Sequence, residues 1–239
     1  MNIENQTPCR FAGLPGLQWL ALTICLSLLS AYASAQTYSF HITPANPTTT
    51  DLVFLHGESS HSPFAFGLTR QNNSFFVGFQ PGTKAEVSRF VLPLGVLPAG
   101  RYAIIRGLPE VEFTVTEAPV VRTDLNLDGV WSNPQQPGRA LYLVQSDTTL
   151  AGGWLVHGTN KLPVWYLVQG VWVTPRRFNG SLSTVIGSDV QNTYVPVTQK
   201  PAGAMSITFN DAGSGTMTYY VGATTAEGTS VPITRFHFK

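Results

Sequence analysis

Apolar and polar residues alternate along most of this chain in short runs, and this pattern predicts β-strands. In one such run, Val111, Phe113 and Val115 alternate with polar neighbours, so one face of the strand is expected to be buried and the other wet. Turns rich in Gly and Pro separate the runs at intervals of roughly 8 to 12 residues. The C-terminal half contains no segment with helical periodicity. We therefore predict an all-β protein.

The predicted strands fall into two groups that divide near Pro119. The first group predicts an immunoglobulin-like β-sandwich at 36–117, and 118–127 has the composition of a polar linker. The second group predicts an antiparallel meander at 128–239 that either stays open or closes into a barrel. Strand candidates in the first group are 51–56, 64–69, 74–79, 88–92 and 111–116. Those in the second are 129–131, 139–145, 153–157, 164–168, 171–174, 178–185, 206–209, 216–221 and 233–238.

The first 35 residues have the features of an export signal. Arg10 precedes an apolar run at 19–29, and Ala33-Ser34-Ala35 supplies a small-residue cleavage site. This run is shorter than the roughly 20 residues that span a bilayer, so cleavage is favoured over a permanent membrane anchor. The mature protein is predicted to be secreted or periplasmic. Both cysteines precede the cleavage site, so the mature chain is expected to contain no disulfide and no thiol-based chemistry.

The charges of the chain are few and evenly distributed. Lys and Arg total 14 against 13 for Asp and Glu, and charged residues make up 11% of the chain, where about a quarter is usual. A nucleic-acid-binding protein normally carries a basic stripe, which is missing from this sequence. Nucleic acid is therefore not expected as a partner.

Four tryptophans remain after the predicted signal, and all lie between Trp131 and Trp172. If residues 158–161 form a four-residue hairpin loop, Trp154 lies directly opposite Trp165 on one face, and Tyr166 points to the other. Packing in a core explains such a pair, and a platform that faces a ligand is the alternative. Arg139 and Arg235 fall inside strand patterns, as surface arginines or as anchors for an anionic ligand. The candidate ligand-binding residues are Trp131, Arg139, Trp154, Trp165, Tyr166 and Arg235.

Catalytic and metal-binding motifs are incomplete or missing. Asp124, Asn126 and Asp128 match the opening of a calcium loop, but Gln135 occupies the twelfth position, where an EF-hand has a bidentate Glu. His56 and His61 are not spaced as a zinc protease motif, and we assign both to a polar loop. There is no Gly-x-Ser-x-Gly motif. We predict no catalytic residues, no metal site and no cofactor.

Several short motifs resemble one domain found in many exported, largely uncharacterised bacterial proteins. Those proteins carry a tryptophan, an Asn-Pro, a Gly-x-Gly, a Gly-x-Pro-x-Trp-Tyr turn and a final Ile-Thr-Arg. The resemblance covers about 128–238, and the segments ITPANPTTTD and LPLGVLPAGRY resemble an immunoglobulin-like domain that often precedes it. It implies this two-domain architecture but no specific activity. The motifs that carry it are GVWSNP, PGR, LPVWY, FNGSL, SITFN, TMTYY and ITRFHF.

These features together favour an exported, non-enzymatic protein that acts by binding or display. The expected partner is a glycan, a component of the cell surface or another protein. A closed barrel that carries a small apolar ligand is the first alternative, and a weak hydrolase is the second.

Overall fold

Strands joined by short turns build most of the folded chain. The computed structural model describes residues 38–59, 63–81, 87–158, 160–187, 196–223 and 227–236, which belong to one compact unit. These residues contain fifteen strands and no helix, so the all-β prediction is confirmed. Nothing in this part of the chain forms a helix long and apolar enough to cross a membrane. The predicted export signal lies outside the described residues.

The N-terminal part is a sandwich of two sheets, as the sequence predicts. The first sheet has the order β1-β2-β5 and the second the order β3-β4-β6-β7. Buried side chains from both sheets, including Leu55 and Leu92 from the first and Phe75 and Ile104 from the second, form one hydrophobic core. The strands are β1 Tyr38–Thr43, β2 Val53–Ser59, β3 Pro63–Gln71, β4 Ser74–Pro81, β5 Ser88–Gly95, β6 Gly100–Arg106 and β7 Leu108–Val115.

The start of β6 carries an immunoglobulin-like feature. The Tyr102 hydroxyl donates a hydrogen bond of 2.8 Å to the carbonyl oxygen of Pro98, an arrangement known as a tyrosine corner. The sheet order differs from the immunoglobulin pattern in one respect, because β4 rather than β3 lies beside β6, and the two strands run parallel. In β7 the predicted alternation is confirmed, since Val115 is buried while Glu112 and Thr114 are exposed.

The C-terminal part closes into an eight-stranded antiparallel barrel. Its strands follow one another around the barrel in chain order, and the last strand pairs with the first through Thr234–Ser132 and Arg235–Trp131. Of the two architectures that the sequence left open, the barrel is therefore the one observed. Its strands are β8 Gly129–Ser132, β9 Ala140–Gln145, β10 Thr149–His157, β11 Pro163–Thr174, β12 Arg177–Ile186, β13 Thr198–Phe209, β14 Ser214–Val221 and β15 Thr229–Arg235.

Strand β11 runs unbroken where the sequence predicts two strands, 164–168 and 171–174. The reason is Gly170, which pairs with Gly180 of β12 and is buried. A Cβ at this position would collide with main-chain atoms of Asn179 and Gly180. The glycine thus permits close contact between two strands instead of making a turn.

Large apolar side chains fill the barrel and extend into the segment before it. Leu127, at the end of the predicted linker, is fully buried in the barrel core. Its carbonyl oxygen accepts a hydrogen bond of 2.9 Å from Nε1 of Trp131. The last residues of 118–127 therefore pack onto the barrel instead of forming a solvated tether. The core includes Trp131, Leu143, Trp154, Trp172, Phe178, Met205, Phe209 and Ile233.

The sandwich covers the outer wall of the barrel at β12 and β13. Ser181 Oγ accepts a hydrogen bond from Val96 N at 2.9 Å and donates one to the carbonyl oxygen of Val96 at 3.1 Å. The side-chain amide of Asn179 donates to the carbonyl oxygen of Thr50 at 2.9 Å. The two hydrophobic cores share none of the described side chains, yet these contacts join them within one compact unit. The predicted domain boundaries stay a prediction.

Candidate ligand-binding site

The β10–β11 hairpin places its two tryptophans on opposite faces of the barrel wall. Trp154 pairs with Tyr166, and Trp165 pairs with Leu155. The predicted pairing of Trp154 with Trp165 is therefore wrong. Trp154 points into the barrel and is 4% exposed, whereas Trp165 points outward and is 61% exposed.

The cause is a connection that is one residue longer than predicted. His157 pairs with Pro163, whereas a four-residue loop would pair it with Leu162. Backbone hydrogen bonds of 2.9 Å, from Gly158 N to the Leu162 carbonyl and from Lys161 N to the Gly158 carbonyl, keep Leu162 within the turn. Lys161 adopts a left-handed φ of 63°. Because side chains alternate along a strand, this slip moves each residue of β11 to the face opposite the predicted one.

Trp154 and Tyr166 meet inside the barrel. The centroid of the Trp154 ring lies 5.7 Å from that of Tyr166 and 4.7 Å from that of Tyr219. Tyr166 is half-buried, and burial raises the pKa of its hydroxyl. Trp131 is fully buried and packs edge-on against Phe209. The structure thus places the two predicted ligand-binding residues Trp131 and Trp154 in the core, because their rings are enclosed by other side chains.

A small cavity lies among these side chains in the described part of the barrel. This cavity of about 10 Å³ lies beside Trp131, Arg139, Trp154 and Tyr219, which is about the space that a single water molecule requires. Small-molecule sites usually enclose roughly 300–1,000 Å³. The described part of the barrel therefore gives no support to an apolar ligand carried inside.

Arg139 and Arg235 are held by contacts with neighbouring residues. Arg139 Nη1 donates to the side-chain oxygen of Gln136 at 2.9 Å. Arg235 donates from Nη1 and Nη2 to the carbonyl oxygens of Asn126 and Asp128. Because Arg235 lies on the last strand of the barrel, these bonds tie the segment before β8 to that strand. Such contacts agree with a structural role for both arginines, and a role in binding an anion stays a prediction.

Trp165 rests on the outer wall of the barrel above a glycine. Its atoms Cε3 and Cζ3 lie 3.6 Å from the place where a Cβ of residue 153 would stand. Gly153 has no side chain to hold the indole away from the sheet. The ring therefore lies over the backbone of β10 with most of its surface open to solvent.

Further exposed apolar side chains surround this indole. Gly153 pairs with Tyr142 on one side and with Leu167 on the other. Tyr142 is 52% exposed, and Leu167 and Val144 are also exposed. We call the outer surface formed by Tyr142, Val144, Trp165 and Leu167 the aromatic face. It is the part of the barrel wall to which an external ligand has access.

A cleft of about 550 Å³ lies where the sandwich covers the barrel, and we call it the junction cleft. Its walls include Arg70 and Asn72 from the sandwich and Gln169 from the barrel. Gln169 follows Trp165 and Leu167 on the outer side of β11, at about 13 Å from Trp165 by the rise of a strand. The aromatic face therefore leads along β11 to the edge of the junction cleft.

His56 lies within β2 and not in the polar loop that the sequence predicts. Its imidazole stacks on that of His41, with the ring centroids 4.7 Å apart, and its Nε2 lies 2.6 Å from the hydroxyl of Thr43. Burial, and then the neighbouring His41, lower the pKa of His56. His61 and His237 lie outside the described residues. Within the described ranges, no three or more His, Cys, Asp or Glu side chains are grouped so that they could hold a metal ion.

The residues that match a calcium loop use their oxygens locally. Asn126 Oδ1 accepts a hydrogen bond from Asp128 N at 3.2 Å, and Asp128 Oδ1 accepts one from Gln145 N at 2.6 Å. Asp124 lies 3.8 Å from the guanidinium of Arg176. These bonds agree with a polar turn before β8.

Sequence reasoning did not single out Tyr142, Gly153 or Arg70. No signal identifies Tyr142 as exposed, because residues 141–144 are all apolar or aromatic and alternation cannot assign their faces. The Gly152-Gly153 pair inside a strand does carry a signal, since glycine there often marks a close approach. Arg70 lies in the polar segment 70–73 between two predicted strands, and nothing in that segment indicates a ligand site.

Comparisons with known proteins find no match, whether among family models, curated proteins or solved structures. The resemblance to exported bacterial proteins thus stays a prediction. Functional inference for this chain depends on the geometry of the aromatic face and the junction cleft.

Proposed function

We propose that this protein is a non-enzymatic binding protein that holds a glycan against its aromatic face. The observation that carries this proposal is the exposed indole of Trp165, which lies over Gly153 with Tyr142 close by. The face of an aromatic ring is partly negative, so it attracts the C–H groups on the flat side of a sugar ring. Contiguous exposed apolar surface is characteristic of binding sites.

The surroundings of Trp165 favour a sugar over a charged partner. Strands β9, β10 and β11 contain no Asp, Glu, Lys or Arg. A nucleic acid would need cations here to neutralise its phosphates. A typical protein partner would cover about 800 Å² on this side, whereas the aromatic face spans three strands, or about 10 Å. That width suits one or two sugar rings.

The predicted export signal supports the same proposal, because it would place the protein in the periplasm or outside the cell, where surface glycans occur. We assign no reaction to the protein. A screen of the mature protein against esterase, peptidase and glycosidase substrates tests this part. Sustained turnover of any of them would contradict it and favour the hydrolase alternative.

Replacement of Trp165 tests the binding site. We expect the mature protein to bind one or more polysaccharides in a glycan array or a pull-down, and Trp165→Ala to weaken that binding at least tenfold, which corresponds to about 1.4 kcal/mol. Phe76→Ala is a suitable control, because Phe76 is a partly exposed aromatic residue on β4 of the sandwich. The proposal is wrong if the wild type binds no glycan or if Trp165→Ala binds as well as the wild type. Capture of a protein partner that depends on Trp165, without glycan binding, would also contradict it.

A further inference from the structure

We infer that the junction cleft is a second binding site, which takes an acidic sugar of the uronic acid class and pairs its carboxylate with Arg70. This inference goes beyond the aromatic face and depends on different residues. Four observations carry it: the volume and position of the cleft, its single charged side chain, the way that side chain is held, and the polar groups on the opposite wall.

The size and position of the cleft are those of a small-molecule site. Its volume of about 550 Å³ lies within the range of roughly 300–1,000 Å³ that such sites occupy. Leu94 and Leu97 line it from the sandwich, and Val171 and Leu182 line it from the barrel. Ligand sites commonly form where two parts of a protein pack together, since each part then contributes one rigid wall.

Among the described residues that line the junction cleft, Arg70 carries the only charged side chain. None of the ion pairs found within the described ranges involves it, so no carboxylate there offsets its charge. Guanidinium groups bind carboxylates through two parallel hydrogen bonds. The cleft is therefore suited to a ligand with one anionic group.

The contacts of Arg70 hold its side chain in place without neutralising it. Its Nε donates a hydrogen bond of 2.9 Å to the carbonyl oxygen of Asn72. Its guanidinium carbon lies 5.4 Å from the ring centroid of Phe75 and 5.6 Å from that of Tyr102. A cation that is fixed before the ligand arrives loses less conformational entropy on binding.

The barrel wall opposite Arg70 offers neutral hydrogen-bonding groups. Gln169, Ser183 and Gln199 line the cleft, and their side chains make no hydrogen bond to another residue of the described part of the chain. Amide and hydroxyl groups both donate and accept, as the hydroxyls of a sugar do. One carboxylate with several hydroxyls is the composition of a uronic acid. A phosphate would favour more than one cation or a helix N-terminus, and an acidic peptide would leave the polar barrel wall largely unused.

Titration calorimetry with galacturonate, a sugar acid with one carboxylate, tests this inference on the intact mature protein. We expect the acid to bind and its methyl ester, which has the same hydroxyls but no charge, to bind at least tenfold more weakly. Arg70→Gln should weaken binding of the acid at least tenfold and leave the ester unchanged. Arg101→Gln is the matched control, because it removes one exposed cation from β6 that pairs with Glu112 at 3.3 Å, outside the cleft. It should bind the acid like the wild type.

A second variant covers the case in which Arg70→Gln fails to fold. Gln199→Ala changes the barrel wall without touching Phe75 or Tyr102, and should weaken binding of galacturonate several-fold. Trp165→Ala should leave this binding unchanged, because a monosaccharide held at Arg70 does not reach a side chain about 13 Å beyond Gln169. Failure of the aromatic face is therefore distinguishable from failure of the cleft. Absence of binding, equal affinity for acid and ester, unchanged affinity in a folded Arg70→Gln variant, or tighter binding of an Asp- and Glu-rich peptide would each overturn the inference.

Discussion

The inner and outer faces of the β10–β11 hairpin carry similar residues in very different environments. On the inner face, Trp154 is enclosed by Tyr166 and Tyr219. On the outer face, Trp165 lies over Gly153 and is open to solvent. Residue type therefore does not separate core from surface in this hairpin. Core and surface are separated by position along the strand, because successive side chains point to opposite faces. The number of residues in the turn decides which positions of β11 face inward.

The covered and the open parts of the barrel's outer wall also differ. Polar residues lie where the wall is covered and apolar residues where it is exposed, which is the reverse of the usual distribution. Where the sandwich covers the wall, side chains such as Asn179 and Ser181 are polar and bonded to the sandwich backbone. Where the wall is open, Tyr142, Trp165 and Leu167 are apolar. Water would normally favour the opposite distribution. The observed distribution is the one that the proposed glycan site requires.

Alanine substitutions at the two tryptophans test the first contrast and should have the largest effect. Trp154→Ala removes a buried indole and should cost about 3–5 kcal/mol of unfolding free energy. Trp165→Ala should change it by no more than about 0.5 kcal/mol, the usual range for exposed positions. Urea denaturation of both variants measures the difference. Equal losses would show that Trp165 is part of the core, and would remove the basis of the aromatic face.

The adjacent glycines of β10 sharpen the same contrast at the backbone. A Cβ at Gly152 would collide with the carbonyl oxygen of Tyr142, whereas one at Gly153 meets only Trp165, at ordinary contact distance. We expect Gly152→Ala to lower stability by about 1–3 kcal/mol. Gly153→Ala should leave it unchanged or raise it by about 0.5 kcal/mol, because alanine is less flexible than glycine when unfolded. A reversal of this order in denaturation experiments would contradict the assignment of faces.

Serine substitutions on β12 test the covered part of the outer wall. Ser181→Ala leaves the N–H and C=O groups of Val96 without their partner, and should cost about 1–2 kcal/mol. Ser183→Ala, two residues along the same outer face, removes a hydroxyl that bonds to no other described residue, and should have little effect on stability. Thermal unfolding of the two variants compares them. Similar melting temperatures would indicate that the sandwich and the barrel are not held together at Ser181.

The outer face of the sandwich differs from the aromatic face because it carries His56, whose imidazole can titrate. The folded protein lowers the pKa of His56 below its ordinary value of 6.5, so folding favours the neutral imidazole. Stability should therefore be complete above pH 6.5 and should fall as the pH drops from 6.5 through the lower pKa of the folded state. This is the smallest effect that we expect. Denaturation at pH 8, 6 and 5 measures this effect. The variant His56→Gln should lose less stability at low pH than the wild type, and an equal loss in both would contradict the assignment to His56.

The architecture could be predicted from the sequence because alternation and turn residues are local signals. The run at 111–116 is an example, and all of it except its last residue lies in β7. Closure of the barrel could not be predicted, since the pairing of β15 with β8 joins residues about a hundred positions apart. The predicted break between 168 and 171 is wrong, because the role of Gly170 depends on Gly180 of the neighbouring strand.

The candidate site was predictable only in part. Trp165 could be identified from its residue type, but its face could not, because the count of residues in the turn was wrong by one. Trp131 and Trp154 carried the same signal and belong to the core. Arg70 was missed because its importance comes from the junction cleft. A cleft between the sandwich and the barrel leaves no mark on the local sequence pattern of either part.

The short seam between β8 and β15 has a consequence for how the barrel opens. In the described residues these strands share two register pairs, whereas β12 and β13 share ten. Local opening begins where cross-strand bonds are fewest. Amide protons beside this seam should therefore exchange with deuterium earlier than those of β12 and β13. Arg235 lies at this seam, and its two hydrogen bonds to the chain before β8 add to the few that the two strands share.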